Sequence, residues 1–423
     1  MNNAVNRYID QHREEILRLG EELFCHPELG YKEFETKKIL EKYLGENGLP
    51  TEAEYSVTGF SVSIGEGHPH IGLIAELDAI PTQGHPFADP ETTAAHACGH
   101  STQCTIMASL MAALKESGIP CGKVTLFFTP AEEFTDMEYR STLVEEGAVK
   151  YRSGKQNMLA EHQFDDVDLV IHLHAMANPA YRFSVGSVLT GFVYKKITFL
   201  GKASHAAALP EKGINALHEC TLFINAVNML RETFRDQDVV RVHGIIQYGG
   251  NTVNSIPERV VYECYVRAAD PEVIRTVNHQ VNTAALHCAQ ALGGSCVIED
   301  TPGYLPLHQN DALNEVVLEQ MREITAESSI LRGEISPAAG DVGDISVFKP
   351  LIQYGYSGFS GAIHGKDLKI ADPEEVYIVQ PKLVGGIVSK LLEHPERAME
   401  IAASFKPSMT YPEYMAYLNG EDE

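Results

Sequence analysis

The sequence predicts an α/β protein in which a doubly wound domain carries an inserted α+β domain. Short apolar runs alternate with amphipathic helical segments through the first part of the chain, which is the pattern of a doubly wound sheet. Near residue 188 the pattern changes to strands that alternate like an antiparallel sheet. The chain has 423 residues, which is long for one hydrophobic core and favours two domains.

The elements of the first domain follow from hydrophobic periodicity. Residues 3–46 have apolar positions at helical spacing, with a break at HPELG and a new helix in ETKKILEKYLGENG. The runs HIGLIAELDAIP, KVTLFFTPAEE and DVDLVIHLHA have the composition of buried strands. The segment STQCTIMASLMAALKESG between the first two reads as a helix. Ligands in such sheets bind beyond the carboxyl ends of the strands.

The second domain is predicted from the segment between residues 188 and 302. GFVYKKITFLGKASHAA, VVRVHGIIQYGG and RVVYECYVRAA are strand-like, and GINALHECTLFINAVNMLRETF and residues 271–292 are helical. After residue 302 the α/β pattern returns. We therefore expect one domain formed by residues 1–187 and 303–423, and an inserted domain formed by residues 188–302.

Composition excludes some classes of function. The formal net charge of −25 argues against nucleic acid and against an anionic membrane surface, since both attract basic proteins. The sequence has no run of about 18 apolar residues, so no membrane-spanning helix is expected. The charged start MNNAVNRYIDQHREEILRLG does not resemble a signal peptide. The eight cysteines are scattered without a CxxC pair, so a cytoplasmic location with free thiols is the simplest interpretation.

The stretch HACGH contains the first candidate metal ligands. Cys98 and His100 would face different sides of a regular helix. On a loop that enters a helix they can aim at one point, and Gly99 makes such a loop easy to build. Thiolate and imidazole are good ligands for zinc. The alternative is a buried cysteine beside a capping histidine, and His96 is interpreted as structural.

Two further motifs end apolar strands. In TPAEE, Glu132 and Glu133 can both reach one cavity, where one could bind metal and the other could act as general base. The alternative is a solvated loop end. In IHLHA, His172 and His174 lie on one face of a strand. We favour His174 as a ligand because it is nearer the strand end, with His172 as the fallback. For either histidine, the alternative is a hydrogen-bonded core residue.

Two weaker candidates complete the set. Asp78 in ELDAIP ends a strand, where it could orient a ligand histidine. His364 lies in the glycine-rich loop SGAIHGKD late in the chain. Together the motifs supply a cysteine, three histidines and a glutamate with a second glutamate to spare. Two metal ions a few ångströms apart need about this many ligands.

These motifs occur in the order found in a known superfamily. ELDAIP, HACGH, PAEE, HLHA, GKASHAA, GGNTVNSIPERV and DVGDIS resemble the zinc aminoacylase and carboxypeptidase superfamily, from about residue 10 to residue 400. The chain is most similar to its amidohydrolase branch, which includes auxin-conjugate hydrolases and N-acyl-amino-acid amidohydrolases. GDVGDIS and RVHGII resemble most the B subunit of aminobenzoyl-glutamate hydrolase.

The resemblance implies a role for each motif residue. Cys98 would bridge two divalent metal ions, zinc or manganese, Glu132 would be the general base, and Asp78 would support a ligand. The remaining metal ligands would be His100, Glu133, His174 and His364.

The inserted domain has roles of its own by the same resemblance. The partner subunit's His205 would stabilise the oxyanion, with His243 as a competitor for that role, and Asn254 and Arg259 would meet the substrate carboxylate. The inserted domain would also act as a lid and would pair with its twin in a homodimer.

The implied function is metal-dependent hydrolysis of the amide of an N-acyl amino acid or an aminobenzoyl-glutamate-like conjugate. One alternative is a dipeptidase or carboxypeptidase that acts on small peptides. Another is a non-catalytic binding or regulatory subunit, because Ser101 stands where many relatives carry Asp or Asn, although the presence of both Glu132 and Glu133 argues against it. The unusual setting of His364 makes it the weakest of the predicted ligands. A thiol redox protein that uses Cys98 is a poorer fit, since no resolving cysteine other than Cys104 is near in sequence.

Overall fold

The computed structural model describes residues 1–421, which form two compact units. The first unit comprises Met1–Ser187, His308–Glu334 and Asp344–Ser408. The second comprises Val188–Leu307, Ile335–Gly343 and the described residues from Met409 onward. Two stretches late in the chain thus join the second unit, whereas the sequence pattern places them in the first domain. The domain boundaries and the lid and dimerisation roles stay predictions.

The strands are numbered in chain order. They are β1 (Ala53–Tyr55), β2 (Gly59–Gly65), β3 (His70–Glu76), β4 (Ile80–Pro81), β5 (Ala94–Ala95), β6 (Lys123–Thr129), β7 (Leu169–Ala175), β8 (Phe183–Val185), β9 (Val188–Leu189), β10 (Gly191–Leu200), β11 (Arg241–Tyr248), β12 (Arg259–Ala268), β13 (Ser295–Pro302), β14 (Ile330–Arg332), β15 (Ile335–Ser336), β16 (Leu351–Tyr356), β17 (Phe359–Ser360) and β18 (Lys369–Ile370).

The α-helices are numbered in the same way. They are α1 (Asn2–Gln11), α2 (Arg13–Phe24), α3 (Phe34–Glu46), α4 (His100–Ser117), α5 (Met137–Glu145), α6 (Gly154–Ala160), α7 (Ala216–Leu230), α8 (Pro271–Ala291), α9 (Asp311–Arg322), α10 (Val342–Ser346), α11 (Gln380–Glu393), α12 (Pro395–Ser404) and α13 (Tyr411–Leu418). A π-helical segment, Glu375–Val379, leads into α11.

The first unit is built on an eight-stranded mixed sheet with the order β1-β2-β6-β3-β7-β16-β8-β14. The four central strands β6, β3, β7 and β16 run parallel, and β2 joins antiparallel to β6. All seven residues of β3 are buried, as expected for a parallel strand covered on both faces. The predicted α/β class is confirmed, and the three predicted central strands are present.

Helix α4 lies at the centre of this unit. Every residue from His100 to Leu114 is buried, which marks a helix surrounded by protein on all sides. It packs against β3, β7, α1, α2 and α11. The first residue of α4 is therefore held in a rigid setting, next to the carboxyl ends of the parallel strands.

The second unit contains a four-stranded antiparallel sheet with the order β11-β12-β10-β13. Helices α7 and α8 pack on this sheet and on each other. Buried side chains alternate along β12, which is typical of an antiparallel strand with one face covered. Helix α8 is capped by the preceding residue, Asp270, whose carboxylate accepts the backbone N–H groups of Glu272 and Val273.

Candidate metal centre

The predicted ligands of the first unit come from the carboxyl ends of neighbouring parallel strands. Strand β3 lies between β6 and β7, so the residues that follow these strands meet at one edge of the sheet. Asp78 follows β3, Glu132 and Glu133 follow β6, and His174 is near the end of β7. Three motifs far apart in sequence are thereby brought together.

The HACGH motif forms the loop that enters α4. Gly99 has a φ of 90°, a left-handed conformation that costs glycine little. A Cβ atom at this position would lie 2.6 Å from the Cβ of Ala175, which no real pair of carbon atoms tolerates. Glycine thus allows Cys98 and His100 to face the same point, as the sequence predicts.

Asp78 connects two of the predicted ligands. Its Oδ1 lies 3.2 Å from His100 Nδ1, and its Oδ2 accepts the backbone N–H of Glu133 at 2.8 Å. The carbonyl oxygen of Asp78 also lies 2.9 Å from His100 Nδ1. Because a carbonyl only accepts, Nδ1 donates a proton to it, and in the neutral imidazole the lone pair is then on Nε2. Asp78 therefore orients His100 and fixes the tautomer that can bind metal.

The turn that carries Glu132 and Glu133 is clamped at its backbone. Ala131 has a φ of 54°, which is uncommon for alanine. Its N–H donates to Oε1 of the buried Glu33 at 2.8 Å, and its carbonyl accepts from Arg140 Nη1 at 3.1 Å. Arg140 is fully buried and also donates to the carbonyl of Glu133. These contacts stabilise a strained turn and aim both glutamates.

Two histidines approach Cys98 from different elements. His174 Nε2 lies 3.4 Å from the Cys98 Sγ, and His364 Nε2 lies 3.3 Å from the same sulfur. His364 Nε2 is also 3.1 Å from Glu133 Oε1. The backbone of His364 has a φ of 62°, and its N–H donates to Ala97. His364 thus joins the cluster although its loop is far along the chain.

Within the first unit, the described side chains form three overlapping groups with metal-ligand geometry. Possible ligand atoms within each group lie within 4.8 Å of one another. The groups are Cys98, His100 and His174; Cys98, Glu133 and His364; and His100, Glu132 and Glu133. The first two groups share Cys98, which is the arrangement that a bridging thiolate requires.

The donor set fits divalent metal ions on the evidence of the side chains themselves. Sulfur, imidazole and carboxylate donors suit zinc and its neighbours. Within the described chain, His100 Nε2 is buried and has no hydrogen-bond partner, although Glu76 Oε2 lies 3.2 Å and Glu132 Oε2 lies 3.9 Å from it. A buried imidazole nitrogen without a partner is costly, and a cation would satisfy it.

The pKa of each proposed ligand depends on its burial and on the charges around it. Burial, with smaller effects from other charges, lowers the pKa of His174 to about 4, so its imidazole is neutral near pH 7, as a ligand must be. Burial and then the Glu133 charge raise the pKa of the Cys98 thiol well above its usual value. Burial alone would lower the pKa of His100, but Cys98 and Glu76 outweigh it and raise that pKa.

Behind the ligands lies a buried polar network that the sequence did not predict. Glu76 accepts from Lys155 Nζ at 2.7 Å and from Gln103 Nε2 at 2.8 Å. His172 Nε2 lies 3.2 Å from Gln103 Oε1, and its Nδ1 faces Gln353. His172 is thus a hydrogen-bonded core residue. Glu76 ends β3 and precedes Asp78 by two positions in the sequence, and this position at a strand end is the one signal that could have drawn attention to it.

Two other residues of the motif region, His96 and Ser101, are buried without hydrogen-bond partners among residues 1–421. Among residues 1–421, neither ring nitrogen of His96 has a hydrogen-bond partner, and burial lowers its pKa to about 3. Ser101 is fully buried and its hydroxyl also lacks a partner in the described range. His96 precedes the proposed ligand Cys98 by two positions.

The predicted substrate-contact residues belong to the second unit. His205 is exposed, and its Nδ1 accepts the N–H of Ala208 at 3.0 Å. The carbonyl of Asn254 accepts the N–H of Ala206 at 3.0 Å, so the His205 and Asn254 loops are neighbours. The Arg259 guanidinium lies 5.6 Å from the centre of the Tyr248 ring. The roles of these residues stay predictions.

His243, the competitor for the oxyanion role, lies on β11. It is opposite Tyr265 of β12, with ring centres 5.6 Å apart. Burial and the charge of Arg267 lower its pKa. This is the setting of a residue on a sheet surface, in contrast to the loop position of His205.

The mixed α/β fold and the buried cysteine, histidine and carboxylate cluster define a class of metal-dependent hydrolases. The profile of "Peptidase family M20/M25/M40" matches residues 72–384. The chain belongs to this family. The predicted family resemblance and the prediction of a metal-dependent hydrolase of amide bonds are thereby confirmed.

Individual relatives agree with this assignment. N-acetyl-L-cysteine deacetylase of Bacillus subtilis is 29% identical over 72% of this chain and 71% of the relative. The human Xaa-Arg dipeptidase is 26% identical over 81% of this chain and 76% of the relative. A crystal structure described as a dinuclear metal-binding peptidase of family M20 from Bacillus subtilis has a TM-score of 0.69 at 19% identity, covering 91% of this chain and 99% of that one.

Among residues 1–421, no helix combines the length and the apolar character that are needed to cross a bilayer.

Proposed function

We propose that the protein is a dinuclear metal amidohydrolase that cleaves the amide bond of an N-acyl amino acid or a related conjugate with a free carboxylate. The observation that carries the proposal is the pair of ligand groups that share Cys98, with Glu132 beside them. A deacetylase of N-acetyl-L-cysteine among the relatives supports this substrate class.

Each residue of the cluster has a proposed role. Cys98, His100, Glu133, His174 and His364 hold the two ions, and Asp78 orients His100. When bound, the ions supply Lewis-acid polarisation of the amide carbonyl and make water more acidic. Glu132 accepts a proton from the attacking water and later donates it to the nitrogen of the leaving amine. Its buried setting keeps that proton from bulk solvent.

The second unit is proposed to complete substrate binding. Asn254 and Arg259 would bind the substrate carboxylate, and the partner subunit's His205 would stabilise the oxyanion. A homodimer formed through this unit is supported by exposed apolar side chains on its helices, among them Met229 at 74% and Leu286 at 42% exposure. We propose zinc or manganese as the metal and the cytoplasm as the location.

The experiment that tests the function is amine release from a substrate panel. The panel contains N-acetyl amino acids, hippurate, aminobenzoyl-glutamate and dipeptides, each assayed with added Zn²⁺ or Mn²⁺, after chelation, and after metal is restored. We expect cleavage of at least one acyl amino acid, loss with the chelator, and recovery with metal. Cleavage that is unaffected by chelation would contradict the proposal. A protein that binds no metal and releases no amine from any substrate of the panel would also contradict the proposal and would favour a non-catalytic relative.

A dipeptidase is the second candidate function. The human Xaa-Arg dipeptidase covers more of this chain than the deacetylase does. The same panel separates the two, because a dipeptidase requires a free α-amino group on the acyl side whereas an acyl amino acid lacks one. A higher kcat/KM for dipeptides than for the matching N-acetyl amino acids would favour the dipeptidase.

A further inference from the structure

The last residue of β3, Glu76, faces the metal centre although no motif marks it as a ligand. Its side chain is 1% exposed. Oε1 accepts from Lys155 Nζ at 2.7 Å and Oε2 accepts from Gln103 Nε2 at 2.8 Å. The backbone N–H of Glu76 also donates to Gln103 Oε1 at 3.1 Å. The carboxylate is therefore fixed in one orientation.

Lys155 compensates the charge of the buried Glu76 carboxylate. Its side chain is fully buried, and a buried charge is tolerated only when an opposite charge and hydrogen bonds compensate it. The ammonium neutralises the Glu76 carboxylate before any metal binds. Each carboxylate oxygen retains a second lone pair beyond the one used by Lys155 or Gln103, so the group can still coordinate a cation.

The contact between Glu76 and His100 is the observation that points to a cation. Glu76 Oε2 lies 3.2 Å from His100 Nε2. The contact does not have the geometry of a hydrogen bond, since within residues 1–421 His100 Nε2 has no hydrogen-bond partner. Ligand atoms at about 2.0–2.2 Å from one zinc ion stand roughly 3.0–3.5 Å apart. The spacing is that of two neighbouring ligands on one metal.

From this geometry we propose that Glu76 is a further carboxylate ligand of the metal ion that His100 binds, held in place by Lys155 and Gln103. The inference rests on the proposed function, because it needs the metal centre. The competing account is an imidazolium form of His100 that donates directly to Glu76, with no metal contact from the carboxylate. The two accounts differ in what happens when metal is bound.

Cobalt binding distinguishes them. Co²⁺ would be titrated into the metal-free full chain by calorimetry and by visible absorption, with Glu76→Gln compared to the wild type. We expect two ions per wild-type chain. In Glu76→Gln one site should lose at least about 100-fold in affinity, and its visible band should change as the carboxylate is lost.

Two control variants calibrate this result. Asp78→Asn removes a partner outside the ligand shell, for which a loss of about 10–100-fold is usual. Glu219→Gln changes a buried carboxylate of the second unit and should leave both affinities unchanged. A further variant, Glu76→Leu with Lys155→Met, removes the ion pair as a unit and protects against misfolding from an unpaired charge.

The outcomes are separable. Glu76→Gln with wild-type affinities and an unchanged cobalt spectrum would overturn the inference and leave the proposed function intact. A wild-type chain that binds no cobalt would overturn both. If the variants do not fold, a crystal structure of the zinc-loaded wild type decides. A Glu76 oxygen at about 2.0–2.2 Å from zinc supports the inference, and an oxygen without a metal contact overturns it.

Discussion

The carboxylate of Asp78 lies 3.2 Å from His100 Nδ1 and at the same time accepts the backbone N–H of Glu133. One side chain thus orients a ligand from the start of α4 and a ligand from the end of β6. Asp78 is fully buried, so neither contact competes with water. The relationship explains how two elements far apart in sequence can present their ligands in one fixed geometry.

Asp78→Asn should weaken metal binding without removing a ligand. The amide can satisfy only one of the two contacts, since its nitrogen repels the N–H of either His100 or Glu133. We expect a loss of about 10–100-fold in zinc affinity, measured by competition with a chelating dye. Asp165→Asn, which changes an exposed acid, is the matched control. Equal affinities in the two variants would contradict the role of Asp78.

Substitutions at the two adjacent glutamates, Glu132 and Glu133, should affect catalysis and metal binding differently. Glu132→Gln removes the proposed base, so kcat should fall by about 10²–10⁴-fold or more while two metals remain bound. Glu133→Gln removes a ligand, so metal content should fall together with activity. Both quantities would be measured on the same preparations by metal analysis and amine release. Turnover retained in Glu132→Gln would show that another group is the base.

Arg140 is expected to be essential for the stability of the glutamate turn. Arg140→Met removes the guanidinium donor of the Ala131 and Glu133 carbonyls, and a hydrogen bond that involves a charged group contributes about 1.5–3 kcal/mol. The two carbonyls keep only backbone donors, from Gly154 at 3.5 Å and from Thr135 at 2.8 Å. We expect a loss of roughly 3 kcal/mol in the free energy of unfolding, measured in urea. Arg332→Met is the control, because its ion pairs are half exposed and contribute about 0–1 kcal/mol. Similar losses of unfolding free energy in both variants would contradict the role of Arg140 in stabilising the glutamate turn.

Stability should depend on pH through a buried carboxyl of the second unit. Burial raises the pKa of Glu219 to about 7 from an ordinary value of 4.5. Between these pH values the folded state keeps the proton and the unfolded state releases it. Stability therefore falls as the pH rises through the window, by up to about 1.4 kcal/mol per pH unit.

Glu219→Gln should flatten that dependence. Urea unfolding from pH 4.5 to 8 would be compared with Glu272→Gln, which changes an exposed side chain. We expect the free energy of unfolding of Glu219→Gln, relative to the wild type, to increase with pH, and that of Glu272→Gln to stay constant. Parallel profiles for all three proteins would show that Glu219 is ionised in the folded state.

Much of the candidate site could be predicted because its residues end apolar runs or enter a helix. Cys98 and His100 flank a glycine, Glu132 and Glu133 follow a strand and a proline, and such positions gather at one sheet edge. Periodicity also located the central strands and the change of pattern near residue 188.

Other parts of the site had no local signal. Arg140 is buried on α5 beside the apolar Leu143, and its charge is tolerated there because of carbonyl groups that only the folded turn brings near. Lys155 is fully buried because Glu76, distant in sequence, supplies its counter-charge. Segment 335–343 joins the second unit through the pairing of β15 with β9, a contact between short strands that periodicity cannot reveal.

The central claim is that Cys98 bridges two metal ions, and anomalous scattering from a zinc-loaded crystal tests it most directly. We predict two anomalous peaks per chain, each about 2.3 Å from the Cys98 sulfur, with His174 at one and His364 at the other. One peak, or two peaks of which only one contacts the sulfur, would contradict the dinuclear site on which the proposed function depends.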